Sequence, residues 1–241
     1  MLLAAIALAA DPALSMPDLS DPEVKLEIQV DVVTGLVEAK LHEAALQAIK
    51  ELRDQGVTDE RLDLLQARAM YGQGMRAEGR GQLDAYLKKH RRDADAWALL
   101  GVMLADDKQL PEAFEALQRA NRLQPRDAAV LNNLGYVQMA MGRLDDAVAT
   151  YRAALAADPT SVRARNNLGF ALARQEKDDE ALAAFRAAGD EADALYNLGL
   201  ACELRDDRAS AITHYKNAIA ARPTHLEARA ALGRLVSETP P

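Results

Sequence analysis

Residues 128–161 read AAVLNNLGYVQMAMGRLDDAVATYRAALAADPTS, and their pattern returns along the chain. Leu-Gly pairs stand at Leu100-Gly101, Leu134-Gly135, Leu168-Gly169, Leu198-Gly199 and Leu232-Gly233, so the glycines are 34, 34, 30 and 34 residues apart. At constant distances behind the first four glycines come an alanine (Ala113, Ala147, Ala181, Ala211), a bulky residue (Leu117, Tyr151, Phe185, Tyr215) and a second alanine (Ala120, Ala154, Ala188, Ala218). Proline closes three of these units, at Pro125, Pro159 and Pro223. A fixed period of this length marks stacked supersecondary units. Within each half-unit the apolar positions recur at three and four residues, on one face of a helix, so one period is a helical hairpin. Glycine inside a helix costs about 1 kcal/mol in propensity, and its return at one site asks for a packing reason: a facing helix that passes too close for a side chain. The bulky residues are expected to fill the space between one hairpin and the next, and the prolines to stop each second helix.

The pattern resembles the tetratricopeptide repeat (TPR), from Ala94 to His225. Trp97, Leu100, Gly101, Ala113, Leu117, Ala120 and Pro125 follow its order in one unit, and Leu131, Leu134, Gly135, Ala147, Tyr151, Ala154 and Pro159 in the next. The resemblance implies an all-α fold, a right-handed TPR superhelix (α-solenoid) of about six helical hairpins plus a C-terminal capping helix. The solenoid is expected over 23–238, with clear units at 94–127, 128–161, 162–191 and 192–225 and the capping helix at 226–238. Units 25–59 and 60–93 are degenerate. The second of these is expected to be the softest, because Gly72, Gly74, Gly79 and Gly81 weaken a helix wherever they lie inside one. Unit 162–191 has 30 residues and no closing proline, so about one helical turn is missing from it, and Gly189 is expected to end its second helix in a left-handed conformation.

Composition agrees with stacked helices: 49% of residues are hydrophobic but only 4% aromatic. Basic residues number 29 against 37 acidic, and the net charge of −8 would repel a phosphate backbone, so no nucleic-acid partner is expected. The basic run Lys88-Lys89-His90-Arg91-Arg92 falls at a helix end, where cations meet the negative end of the dipole. The one cysteine, Cys202, forms no intrachain disulfide and reads as a buried, inert thiol. Residues 1–10 form an apolar run too short to span a membrane, with small residues near Ala9 and Ala10, and read as a signal peptide although no Lys or Arg precedes them. That reading expects an exported, periplasmic protein; the alternative is a first helix and a cytoplasmic adaptor. Residues 11–22, with Pro12, Pro17 and Pro22, read as an extended lead-in, and no transmembrane span is expected.

Catalytic signatures are scarce. Gly72-Gln73-Gly74-Met75-Arg76-Ala77 spells a dinucleotide-binding motif, but that motif needs a strand before it, and Leu64 to Tyr71 has a helical pattern. His42, His90, His214 and His225 never stand at metal-binding spacing. The acidic pairs Asp106-Asp107, Asp145-Asp146, Asp178-Asp179 and Asp206-Asp207 are expected to cap the second helices and favour their dipoles. No catalytic residue, metal, cofactor or small-molecule substrate is therefore expected; an enzyme with an unrecognised site is the remaining alternative. The TPR resemblance implies a concave groove lined by the first helix of each unit. The residues it places there are Asn132, Asn133, Tyr136 and Met139, then Arg163, Asn166, Asn167, Phe170 and Arg174, then Tyr196, Asn197 and Glu203. Asn133, Asn167 and Asn197 immediately precede Leu-Gly, where TPR proteins often hold the backbone of an extended peptide, and the aromatics would anchor a partner. The cationic clamp for a C-terminal carboxylate is missing, since the relevant positions hold Asp95, Ala129, Arg163 and Asp193. The implied function is a non-catalytic scaffold for a protein or peptide partner. The chain is also similar to exported TPR factors that assemble type IV and Tad-type pili, which points to a bacterial envelope machine such as a pilus or secretion system. The oligomeric state stays open.

Overall fold

The computed structural model describes residues 20–237, so the signal-peptide reading at 1–10 and most of the lead-in lie outside the described residues. The described residues form thirteen α-helices and no strand. They are α1 (Pro22–Glu38), α2 (His42–Asp54), α3 (Arg61–Gly72), α4 (Arg76–Lys89), α5 (Ala94–Asp106), α6 (Leu110–Leu123), α7 (Ala128–Ala140), α8 (Leu144–Ala157), α9 (Val162–Arg174), α10 (Asp178–Ala188), α11 (Glu191–Glu203), α12 (Arg208–Ala221) and α13 (Leu226–Ser237). They divide into two units, one ending at Lys89 and one beginning at His90. The first holds the hairpins α1/α2 and α3/α4. The second holds α5/α6, α7/α8, α9/α10 and α11/α12, closed by α13 alone. Each unit is an α-solenoid stack in which a helix packs mainly on its neighbours in sequence.

The first helices start at side-chain caps. Asp93 accepts from the Ala96 N–H at 2.9 Å, Asp127 from Val130 at 2.8 Å, Ser161 from Ala164 at 3.3 Å and Asp190 from Asp193 at 2.9 Å. The expectation for the acidic pairs holds in part. Asp207 acts as a cap, taking the Ser210 N–H at 3.1 Å, and Asp145, Asp146, Asp178 and Asp179 lie inside the first turn of α8 and α10, where they favour the dipole; Asp106, by contrast, ends α5.

The recurring glycines do have a packing reason, and it lies within the hairpin. A Cβ at Gly135 would stand 2.7 Å from the Tyr151 ring, at Gly169 2.5 Å from Phe185, at Gly199 2.7 Å from Tyr215 and at Gly101 2.5 Å from Leu117. The bulky residue of each second helix thus lies over the glycine of its own first helix, and these side chains are fully buried or nearly so. In α3/α4 the roles are exchanged: Ala67 takes the glycine register and Gly79 the alanine register, with a Gly79 Cβ only 2.8 Å from the Ala67 carbonyl. Gly74 lies outside the helices, in a turn at φ +93°, where glycine is favoured, so the helix penalty does not apply to it.

That turn belongs to a second periodicity. Left-handed residues follow the first helix of every hairpin, at Lys40, Gly74, Lys108, Gly142, Glu176 and Asp206. The short unit keeps this turn and loses its residues later: α10 has 11 residues where α6, α8 and α12 have 14. Gly189 closes α10 at φ −161°, ψ −161°, an extended conformation and not the left-handed one expected; the chain leaves the helix directly into the Asp190 cap.

Candidate functional site

In the unit from His90 onward the first helices α5, α7, α9 and α11 stand side by side. Each carries its Leu-Gly inward, toward the second helix, so the residues just before and after that pair line the other side. This geometry collects the residues named from the sequence, but it divides them by what they already hold.

Two carboxamide rungs join neighbouring helices. Asn167 Nδ2 donates to Asn132 Oδ1 at 2.9 Å, and Asn197 Nδ2 donates to Asn166 Oδ1 at 3.4 Å. Asn132 is buried, 5% exposed, so its carboxamide serves the α7–α9 contact. Arg174 Nη1 donates to the Met139 carbonyl at 2.7 Å and ties the end of α9 to α7. Glu203 is engaged twice: Tyr215 Oη donates to Oε2 at 2.7 Å and Arg234 Nη2 to Oε1 at 2.6 Å. Burial works against the charged carboxylate of Glu203, yet these donors outweigh it and hold its pKa below the ordinary value. Phe170 meets Phe185 edge-on at 5.0 Å, and Tyr196 lies between Tyr215 at 5.7 Å and His225 at 5.0 Å. Asn133 is half-buried, Arg163 is exposed and Tyr136 is 43% exposed, and these three stand outside the rungs.

Cys202 is buried in α11, with burial raising its thiol pKa, as befits an inert position. Gly72 is the last residue of α3, so a helix leads into the apparent dinucleotide motif. Among the described residues no helix is long and apolar enough to cross a membrane.

Two residues of this wall escape a reading by sequence. His225 is buried, and Arg222 pairs with Asp190 at 2.6 Å and contacts Asp193. A signal for His225 is nonetheless present: it stands eight residues before Gly233, the register of the caps Asp93, Asp127 and Ser161 before their glycines.

Comparisons with known proteins agree with this architecture. The tetratricopeptide repeat profile matches residues 64–128, 132–193 and 194–227. A curated TPR repeat-containing protein of Pseudomonas aeruginosa, PA4667, is 30% identical over 129 residues, which make up 52% of this chain but only 22% of that protein. A solved structure of PilF from Pseudomonas aeruginosa superposes with a TM-score of 0.65 at 16% identity, covering 88% of this chain and 97% of PilF. YrrB, described as a TPR protein with an unusual peptide-binding site, superposes with a TM-score of 0.56 at 23% identity over 77% of this chain and 95% of its own. The structural likenesses are likenesses of fold. With the profile covering well over half of the sequence and the hairpins in its register, the chain belongs to the tetratricopeptide-repeat family.

Proposed function

We propose that this chain is a non-catalytic scaffold that holds a partner protein or an extended peptide along the first helices of residues 94–237. The observation that carries the reading is the wall itself: Asn-Asn rungs fix the spacing of α7, α9 and α11, while Asn133 and Tyr136 on α7 keep surface to offer. A carboxamide both donates and accepts, which suits a main chain, and a half-exposed tyrosine adds apolar area with little entropy to lose. YrrB, which shares the fold, is described as having a peptide-binding site, and this supports the same use here.

The test replaces Asn133 and Tyr136 by alanine, singly and together, because these changes leave the rungs intact. Recovery of binding partners from the native organism should fall with helicity unchanged. Undiminished recovery by the folded double variant would refute the groove.

For the cellular setting we propose an exported protein that serves assembly of an envelope machine such as a pilus. The apolar run at residues 1–10 and the fold shared with PilF support it. Sequencing the N-terminus of natively produced protein tests this reading, since an intact Met1 removes it and favours the cytoplasmic adaptor.

A further inference from the structure

Within the wall of first helices, one cleft and one guest chemistry stand out, an inference that rests on the scaffold reading of that wall. Because α10 ends a turn early, at Ala188, a cleft of about 440 Å³ opens beside Gly189, between α9, α11 and the start of α13. His225 lines it and is 3% exposed. Its Nδ1 accepts the Ala228 N–H at 3.3 Å and so caps α13. A backbone N–H can only donate, so Nδ1 presents a lone pair and the neutral ring carries its proton on Nε2. That Nε2 has no hydrogen-bond partner among the described residues. Asp193 Oδ1 lies 3.3 Å away without hydrogen-bond alignment and is engaged by Arg222; Glu227 Oε2 lies 3.1 Å from Nδ1, but both atoms are acceptors in this tautomer and form no hydrogen bond. A buried donor lacking an acceptor carries a desolvation penalty, which an acceptor in the cleft removes by displacing the side chains that cover Nε2.

The surrounding charges decide which acceptor. Of the charged residues that line the cleft, Asp193 and Glu227 outnumber Arg222, which Asp193 and, outside the lining, Asp190 already engage. A carboxylate or phosphate would meet an excess of negative charge, whereas a neutral carbonyl would not, and a cation attached to the same guest would be attracted. We propose that this cleft seats an extended peptide bearing a basic side chain. A main-chain carbonyl of the guest accepts from His225 Nε2, the carboxamides of Asn166 and Asn197 flank its backbone, and its cation lies toward Glu227 and Asp193.

The test pans a phage-displayed random dodecapeptide library on the full chain, then measures the selected peptides, resynthesised with capped ends, by fluorescence anisotropy. The selected sequences should share a lysine or arginine, and its replacement by glutamate should weaken binding by about tenfold or more. Gly189→Leu should weaken binding by a similar factor by filling the cleft; the Gly189 backbone is extended, and a Cβ there meets nothing closer than 3.7 Å. His225→Asn retains a side-chain oxygen that can cap Ala228 but lacks the ring donor, and should weaken binding roughly 3- to 10-fold. Circular dichroism and thermal melting establish that both variants are folded. Wild-type affinity in the folded variants would overturn the cleft while leaving the groove reading in place if Asn133→Ala or Tyr136→Ala still weakens binding. Selection of acidic peptides, or failure to enrich any peptide, would overturn the cleft alone; the groove reading stands or falls on partner recovery by the Asn133→Ala and Tyr136→Ala variants.

Discussion

Tyr151 and Tyr215 occupy the same register, each over its glycine and each fully buried, yet their hydroxyls meet different fates. Tyr215 Oη donates to Glu203 at 2.7 Å. Tyr151 Oη has no hydrogen-bond partner among the described residues, and the position equivalent to Glu203, four residues after the Leu-Gly glycine, holds Met139. Burial raises both phenol pKa values above the ordinary range. Tyr215→Phe removes a hydrogen bond to a charged acceptor, a class worth about 1.5–3 kcal/mol. Glu203 remains partly exposed, 25% at the side chain, and keeps Arg234, so we expect a loss of about 1–2 kcal/mol. Tyr151→Phe removes an orphaned hydroxyl and keeps the ring over Gly135, so it should be neutral or stabilise by up to about 1 kcal/mol. Met139→Glu should stabilise only while Tyr151 is present, since it supplies the missing acceptor. Urea unfolding of the four variants, including Tyr151→Phe with Met139→Glu, followed by circular dichroism and by Trp97 fluorescence, reads these differences, and thermal melts should show about 2–4 °C per kcal/mol for a chain of this size. Equal losses for Tyr151→Phe and Tyr215→Phe, or a Met139→Glu effect independent of Tyr151, would refute the reasoning.

Further predictions concern the glycines, the turns and pH. Gly169→Ala should destabilise by about 1–3 kcal/mol, because its Cβ would stand 2.5 Å from the buried Phe185 ring. Gly233→Ala should stabilise by up to about 1 kcal/mol, since none of the described residues comes within 4 Å of a Cβ at that helical site. Thermal melts of the pair test whether glycine is needed only where a ring descends on it. Lys108→Gly should gain about 0.5–1 kcal/mol and Gly142→Ala should lose about as much, because both positions are left-handed, at φ +63° and +78°. Equal melting temperatures in these two variants and the parent would contradict this. The backbone N–H of Asp193 is the leading cause holding the Asp190 carboxyl below its ordinary pKa of 3.8. Its folded pKa is therefore depressed, so its contribution is present above about 4 and is lost as pH falls through the folded value. Melting temperature followed from pH 7 to pH 3 should fall less steeply in Asp190→Asn, which keeps a capping side chain but does not titrate.

The sequence determined the hairpin and its period without help, because a strict repeat of Leu-Gly, Ala, bulky residue and Ala leaves one solution for which faces are buried. It also located the missing turn of the short unit, since a gap in register is visible as a count. It did not say that each ring covers its own hairpin's glycine, that only two of the four acidic pairs lie within first turns, or that Gly189 is extended, because these depend on how far each helix runs before the chain turns. Nor could spacing separate Asn132, buried in a rung to Asn167, from Asn133, half-exposed one residue later. Periodicity assigns a residue to a face; only the neighbouring helix, thirty or more residues away, decides whether its polar atoms are spent on the fold or left for a guest. The orphaned Nε2 of His225 shows the same limit, since its environment is assembled from four helices that no local pattern connects.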